Sequence, residues 1–398
     1  MVDPAEHTSP DLRGLRARRR QAERRRRRWR RALIVVLSVI LVVLLLAGTY
    51  LFVLARSFDD NRRTVDAGIS ETVRAGEPIN ILLLGSDSRD GVEATEATDP
   101  SAEPDSRRSD TMMLVHIPAD RGQVYVMSLL RDLYVEIPGW GEDKINAAFG
   151  EGGHSMAIKT VEQLLDIPVH HIVEVDFEGF RGVTEALGGV TVCNPTAFSA
   201  GVRNPSYYPR GEILLEDTAA LRYVRERYAF ADGDYTRVQN QQRVVAAAVN
   251  RFLSVEILAN PARTTSVIST LSSYISTDEA LNSGSLAAMG WDLRNLRSGD
   301  ITMFTVPNAG PDRTETGMSI IRQDPAAMRQ LRRALREDSV GEYLNPEPSP
   351  SPSPRSASPT AEPSTEPTPS PTATDGVDAS PSPSEPAAPT PLRTEVCS

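Results

Sequence analysis

The sequence predicts an α/β fold for residues 78–343, a three-layer α/β/α domain whose mixed sheet is covered on both faces by helices. One transmembrane helix precedes it and a disordered tail follows. Three observations carry this reading. Short apolar runs alternate with stretches of helical period between 78 and 343. Residues 32–55 are 24 positions without a charge. Half of the 30 prolines fall between Pro346 and Pro391.

The charge is unevenly placed. The whole chain of 398 residues carries −10, yet residues 1–31 hold 12 Arg against 4 acidic residues. With 40% hydrophobic residues the composition excludes a fully disordered chain, and a single long apolar run excludes a multi-span membrane protein. Two cysteines exclude a disulfide-dense mini-fold and a cysteine-built zinc site.

Taken in order, residues 1–31 read as a basic cytoplasmic segment and 32–55 as an anchor. About 20 apolar residues suffice to span a bilayer. The basic flank sets the N-terminus in the cytoplasm and everything after 55 outside, in the cell membrane as a single-pass protein. A cleaved signal peptide is the alternative, since Val53-Leu54-Ala55 has the form of a cleavage site. Against it, the apolar run exceeds the usual h-region of about 7–15 residues. The Arg run serves as an orientation signal that also touches anionic head groups, worth about 1 kcal/mol per basic residue. Nothing beside it would read bases, so the expected partner there is membrane lipid and no nucleic acid.

Residues 56–77 read as a short stalk. In the extracytoplasmic domain, 79–85 is a buried strand. Residues 111–117 and 124–130 flank the turn Pro118-Ala119-Asp120-Arg121-Gly122 and predict an antiparallel hairpin. Met156, Ile158, Val161, Leu164 and Leu165 have helical spacing over 155–165. A strand at 171–175 follows, then a helix at 177–187 stopped by Gly188-Gly189, and a strand at 190–193. Helices are predicted at 217–226, 236–253 and 325–336, and a strand at 301–306. From 344 to 398, dense Pro, Ser, Thr and Glu cannot bury enough apolar surface to offset chain entropy.

No G-x-S-x-G elbow, Walker loop or H-E-x-x-H stretch is present. His116 lies in a strand and His170-His171 precede one, where local hydrogen bonding is expected of them. The remaining chemistry is a set of Asp and Arg residues at element ends. Asp87 and Arg89 follow strand 79–85, on the edge where α/β sheets bind ligands. Arg108 and Asp110 precede the next strand, and Arg131 ends the third. Arg225 and Arg227 close one helix. Asp234 and Arg237 open another, with Gln241 one turn on. Arg is bidentate toward phosphate, and paired carboxylates suit a hard divalent cation. Such a cluster fits displacement at a pyrophosphate. Solvated surface ion pairs are the plain alternative for each pair taken singly.

Seven ordered blocks carry a family resemblance. They are NILLLGSDSR (80–89), RSDTMMLVHIP (108–118), VMSLLRDLYVEIPG (126–139), DKINAAFGEGG (143–153), VDFEGFRGVTEALGGVTV (175–192), ALRYVRERY (220–228) and GDYTRVQNQQR (233–243). In order and spacing the chain resembles the LytR-CpsA-Psr (LCP) family. That family usually reads Ser-x-Pro-Arg-Asp where this chain has Leu130 before Arg131, which leaves the Arg in place.

The resemblance implies a phosphotransferase. It would move a glycopolymer from a polyprenyl-pyrophosphate carrier to a hydroxyl of peptidoglycan, with polyprenyl phosphate leaving. By position, Asp87 and Asp110 would hold Mg2+ (Mn2+ would also fit) and act with Arg108 and Arg131 in catalysis. Arg89, Arg108, Arg131, Lys144, Arg225, Arg227, Arg237 and Gln241 would bind pyrophosphate, with Asp234 in the same motifs. The polyprenyl chain would lie in an apolar cavity, for which Val161, Leu164, Leu165, Phe177, Phe180 and Leu187 are candidate lining. A polyprenyl-pyrophosphate hydrolase and a non-catalytic lipid-glycan scaffold are the alternatives.

Cys193 and Cys397 would both be extracytoplasmic, where thiols pair. The tail is long enough to return to the domain, and a Cys193–Cys397 disulfide is a hypothesis of the sequence.

Overall fold

The computed structural model describes residues 12–69, 73–74, 76–86, 109–201, 205–345 and 397. It divides into two units, Met1–Ser57 and Phe58–Ser398.

The first unit is helical. Helix α1 (Leu12–Asn61) contains no proline, and its stretch Leu33–Asn61 is long and apolar enough to cross a membrane. The hydroxyls of Ser38 and Thr49 donate to the carbonyls of Ile34 and Leu45, so these polar groups are satisfied inside the helix.

The second unit begins with the last turn of α1 and the edge strand β1 (Arg63–Thr64), both inside the segment expected to be a stalk. There follow β2 (Ile79–Ser86), β3 (Ser109–Ile117) and β4 (Val124–Leu129). A hairpin of β5 (Tyr134–Ile137) and β6 (Gly141–Lys144) leads into α2 (Ile145–Leu165), β7 (His171–Asp176) and α3 (Phe177–Ala186). Next come β8 (Val190–Asn194), β9 (Phe198–Ala200), β10 (Ser206–Tyr208), β11 (Gly211–Leu215), α4 (Asp217–Arg225) and α5 (Asp234–Phe252). The chain continues through α6 (Val255–Leu258), α7 (Pro261–Tyr274), β12 (Ile275–Thr277), α8 (Ser283–Asp292) and β13 (Ile301–Thr305). It ends with β14 (Asn308–Arg313), β15 (Ser319–Gln323), α9 (Pro325–Arg336) and α10 (Val340–Leu344).

A seven-stranded mixed sheet organises this unit, in the order β1-β12-β7-β2-β3-β4-β13. β2 runs parallel to β7 and β4 parallel to β13, while β3 is antiparallel to both of its neighbours. The expected hairpin is therefore β3–β4. Strand alternation sends successive side chains to opposite faces. Leu82, Leu84, Met112, Leu114 and Met127 pack against α2, α9 and α10. Ile81, Leu83, Met113, Val115 and Val126 face α5 and α8. A further cluster joins β8–β11 to α4–α7, with Tyr223 fully buried at its centre.

Helix α2 starts ten residues before the predicted 155, because two helical segments meet at a kink where Gly153 has φ 61°. Helices α3 and α7 approach closely because α3 presents glycines. A Cβ at Gly179 would sit 2.6 Å from the Tyr274 carbonyl oxygen, and one at Gly182 would sit 2.3 Å from its ring.

Candidate functional site

The carboxyl ends of β2, β4 and β7 and the start of β3 meet along one edge of the sheet. Ser86 pairs with Ser109 on one side and with Asp176 on the other. Leu129 ends β4 beside Met112, so Arg131 leaves the sheet at the same edge. Asp87 follows Ser86 in sequence but lies, with Arg89 and Arg108, outside the described residues, as does the side chain of Asp110.

Asp132 gathers the first cation pair. Its carboxylate is 3.6 Å from Arg131 Nε and 3.0 Å from Lys144 Nζ. The β5–β6 hairpin makes this possible, because it returns the chain so that the Ile145 amide donates to the Leu133 carbonyl. The Asn146 amide donates to the Arg131 carbonyl in the same turn.

A second group surrounds the junction of β7 and α3. Arg225, the last residue of α4, lies over the Phe177 ring at 4.1 Å from its centroid. Two turns of α5 hold this end of α4 close to the sheet. Gln241 Nε2 reaches the Val224 carbonyl at 3.5 Å, and Gln242 Nε2 donates to Ser128 Oγ on β4 at 2.8 Å. Arg237 is 4% exposed in the first turns of α5 and donates to Asp234 at 2.9 Å. Arg227 turns instead to Tyr228, donating to its hydroxyl at 2.6 Å. Sequence reasoning placed Asp132 beside Arg131 at a strand end but missed Gln242 and Tyr228, although both lie inside the quoted blocks.

His170 and His171 are structural. His170 Nδ1 accepts from the Asn80 amide, and His171 Nδ1 lies 3.2 Å from the Asp278 carboxylate. Among the described residues no group of three His, Cys, Asp or Glu side chains could hold a metal. By residue type, Asp87 and Asp110 would suit a hard cation such as Mg2+. Asp110 follows Ser109, Asp87 follows Ser86, and these two serines are register partners. Two hard oxygen donors would then attach at one corner.

The six candidate lipid-lining residues do not share one face. Val161, Leu164 and Leu165 fill the closed core between the sheet and α2. Phe180 and Leu187 belong to the cluster beside α4–α7, and Phe177 lies under Arg225. Phe177 and Phe180 stay partly buried, and a further partly buried apolar surface lies on the α5 and α8 side. There Ile81, Leu83 and Val115 on central strands remain only partly buried. Both faces of these strands read as apolar, so nothing in the sequence distinguished them. The Cys193–Cys397 disulfide is formed, with Cα atoms 5.5 Å apart.

A mixed sheet whose carboxyl edge gathers Arg and Lys side chains defines an α/β domain suited to a polyanion. The chain belongs to the LytR_cpsA_psr family, whose model matches residues 53–337. It is 37% identical over 207 residues to a polyisoprenyl-teichoic acid–peptidoglycan teichoic acid transferase, TagU, of Oceanobacillus iheyensis. That match covers 50% of this chain and 59% of the relative. It is 33% identical over 268 residues to the probable cell wall biosynthesis protein LcpB of Corynebacterium glutamicum, covering 65% of this chain and 61% of LcpB. The matches thus leave more than a third of each of these two relatives uncovered. The fold is similar to crystallised Bacillus subtilis TagV, with a TM-score of 0.56 and 24% identity, over 67% of this chain and 99% of TagV. A structure described as TagT bound to LI-WTA gives a TM-score of 0.50 at 25% identity, over 68% and 94% of the two chains.

Proposed function

We propose that the chain transfers a glycopolymer from a polyprenyl-pyrophosphate carrier to a peptidoglycan hydroxyl. The observation that supports this most is the shared sheet edge. The chain positions before Asp87 and Asp110 are paired there, beside the Arg131–Asp132–Lys144 cluster. The names of the relatives, teichoic acid transferases among them, point the same way.

In this reading a peptidoglycan hydroxyl attacks the phosphorus that bears the sugar. The bond from that phosphorus to the bridging oxygen breaks, and polyprenyl phosphate leaves with its electron pair. The hydroxyl proton passes to solvent or to a nearby base. Arg131, Lys144, Arg225, Arg237 and Gln241 hold the phosphate oxygens, with Arg89, Arg108 and Arg227 from the same motifs. Fixed cations stabilise the charge that grows on the leaving phosphate. Asp87 and Asp110 would hold Mg2+, which supplies Lewis-acid polarisation of the phosphoryl oxygens. The partly open face at Ile81, Leu83 and Val115 offers apolar surface for the polyprenyl chain. The basic N-terminal flank supports a cytoplasmic N-terminus with the domain on the opposite side.

The test is to incubate the full chain with a lipid-pyrophosphate oligosaccharide, peptidoglycan and Mg2+. Sugar bound covalently to the insoluble wall is the expected product. Asp110→Ala should lower its formation by on the order of 10²–10³ if the carboxylate serves the reacting phosphate. Release of sugar phosphate with none on the wall would instead identify a hydrolase.

A further inference from the structure

We propose that α8 lies on a bilayer surface, as a membrane contact of the domain. This inference does not depend on the transfer reaction.

The outer side of α8 is unusual for a surface helix, which ordinarily presents charged and polar residues to water. From Ser283 to Trp291 the sequence SGSLAAMGW carries no charge. Met289, with Leu293 just beyond the helix, packs inward against the sheet cluster. The stripe of Ala287, Trp291 and Arg294, at helical spacing, faces outward. Trp291 is 69% exposed and Leu286 37%. Arg294 stacks on the Trp291 ring at 4.8 Å, and the exposed Arg297 follows one turn later. Tryptophan beside arginine is the chemistry of the boundary between head groups and acyl chains. The guanidinium groups complement anionic head groups.

The start of α8 is also tied to the residues that leave the apolar run of α1. The Ser283 amide and hydroxyl both donate to the Asp59 carboxylate, at 2.9 and 2.5 Å. Arg62 donates to the carbonyls of Asp278, Glu279 and Leu281, which fixes the loop before α8. Asp59 is the fourth residue after Ala55, the last of the uncharged run. Four residues span at most about 14 Å even when fully extended. By chain length alone, a lipid surface at the apolar run would be within reach of the uncharged side of α8.

The test uses the full chain with Trp29→Phe and Trp140→Phe, which leaves Trp291 as the sole tryptophan. The protein is reconstituted in vesicles containing anionic lipid, with and without bromine on the upper acyl chain. The expected result is a blue-shifted emission and loss of most of its intensity in the brominated vesicles. Adding Ala287→Asp, on the outward stripe, should restore that intensity. Emission unchanged by brominated lipid would overturn the proposal, whether or not α8 then proved to bind a protein or a second copy. Quenching that persists undiminished in the Ala287→Asp variant would overturn the seating of α8.

Discussion

The guanidinium of Arg225 stacks on the ring of Phe177, its central carbon 4.1 Å from the ring centroid. One residue ends α4 and the other begins α3, so the stack joins two helices at the edge where β7 terminates. A cation held over an aromatic face is fixed in position by the ring. In the proposed reading, this stack is what places Arg225 for phosphate.

Phe177→Leu should weaken donor binding while the fold persists. A cation–π contact is worth about 0.5–2 kcal/mol, so KM for the lipid-linked donor should rise about 2- to 30-fold. Phe177→Tyr should retain the stack and nearly the original KM. Steady-state kinetics with graded donor would show it, and equal KM values for all three proteins would remove the positioning role.

Arg131→Lys tests whether the cation at the end of β4 acts as a fork or as a point charge. Lys keeps the charge and loses the bidentate geometry. Transfer should fall by on the order of 10²–10³ if Arg131 stabilises the developing charge. If Arg131 served only to pair with Asp132, the change would be about 1 kcal/mol or less. An enzyme with Lys at this position and unaltered turnover would establish the second case.

Cys193→Ser should lower the melting temperature of the full chain. The bond closes a loop between residues separated by 204 positions in sequence. Its loss removes about 2–5 kcal/mol by constraint of the unfolded state. A reductant should lower the melting temperature of the parent protein by a similar amount and leave the variant unchanged. Identical melting of parent and variant without reductant would show that the tie contributes nothing to stability.

The main elements were legible where one physical signal dominated. The run from Ile79 to Gly85 could only be a buried strand, and Gly188-Gly189 marks the end of α3 because both take positive φ. Helix α7 was illegible through its composition, PARTTSVISTLSSY, which is rich in poor helix formers. Its start signal was present nonetheless, in the Asn260 cap followed by Pro261. Several of its hydroxyls are satisfied inside the helix, with Thr265 donating to the Pro261 carbonyl and Ser272 to that of Ser269. The two-residue β1 and three-residue β12 carry too little pattern to be read locally. At the site, attachment points were readable because strand ends are readable. The grouping of Arg131 with Lys144 through Asp132 was not, since it requires the turn of the β5–β6 hairpin.

Asp278 should set an acid limit to the domain's stability. It is buried, which by itself would raise its pKa. Hydrogen bonds from His171 and from the Ile172 and Leu281 amides outweigh that and hold it below the usual 3.8. A carboxylate with a depressed folded-state pKa contributes stability that is present above its unfolded value. That contribution is lost as pH falls through the folded pKa. The Asp278 contribution should therefore be complete at neutral pH and disappear below about pH 3.8. Asp278→Asn should remove it at all pH values. The Leu281 amide bonds Oδ1 and the Ile172 amide bonds Oδ2. An amide side chain offers only one acceptor oxygen, so one of these buried donors would face an NH2 group. The expected cost at neutral pH is about 1–3 kcal/mol, with a shallower loss of stability on acidification. Urea denaturation at pH 7 and at pH 3 would measure both effects. A parent and variant of equal stability at pH 7 would show that Asp278 does not fix the loop before α8.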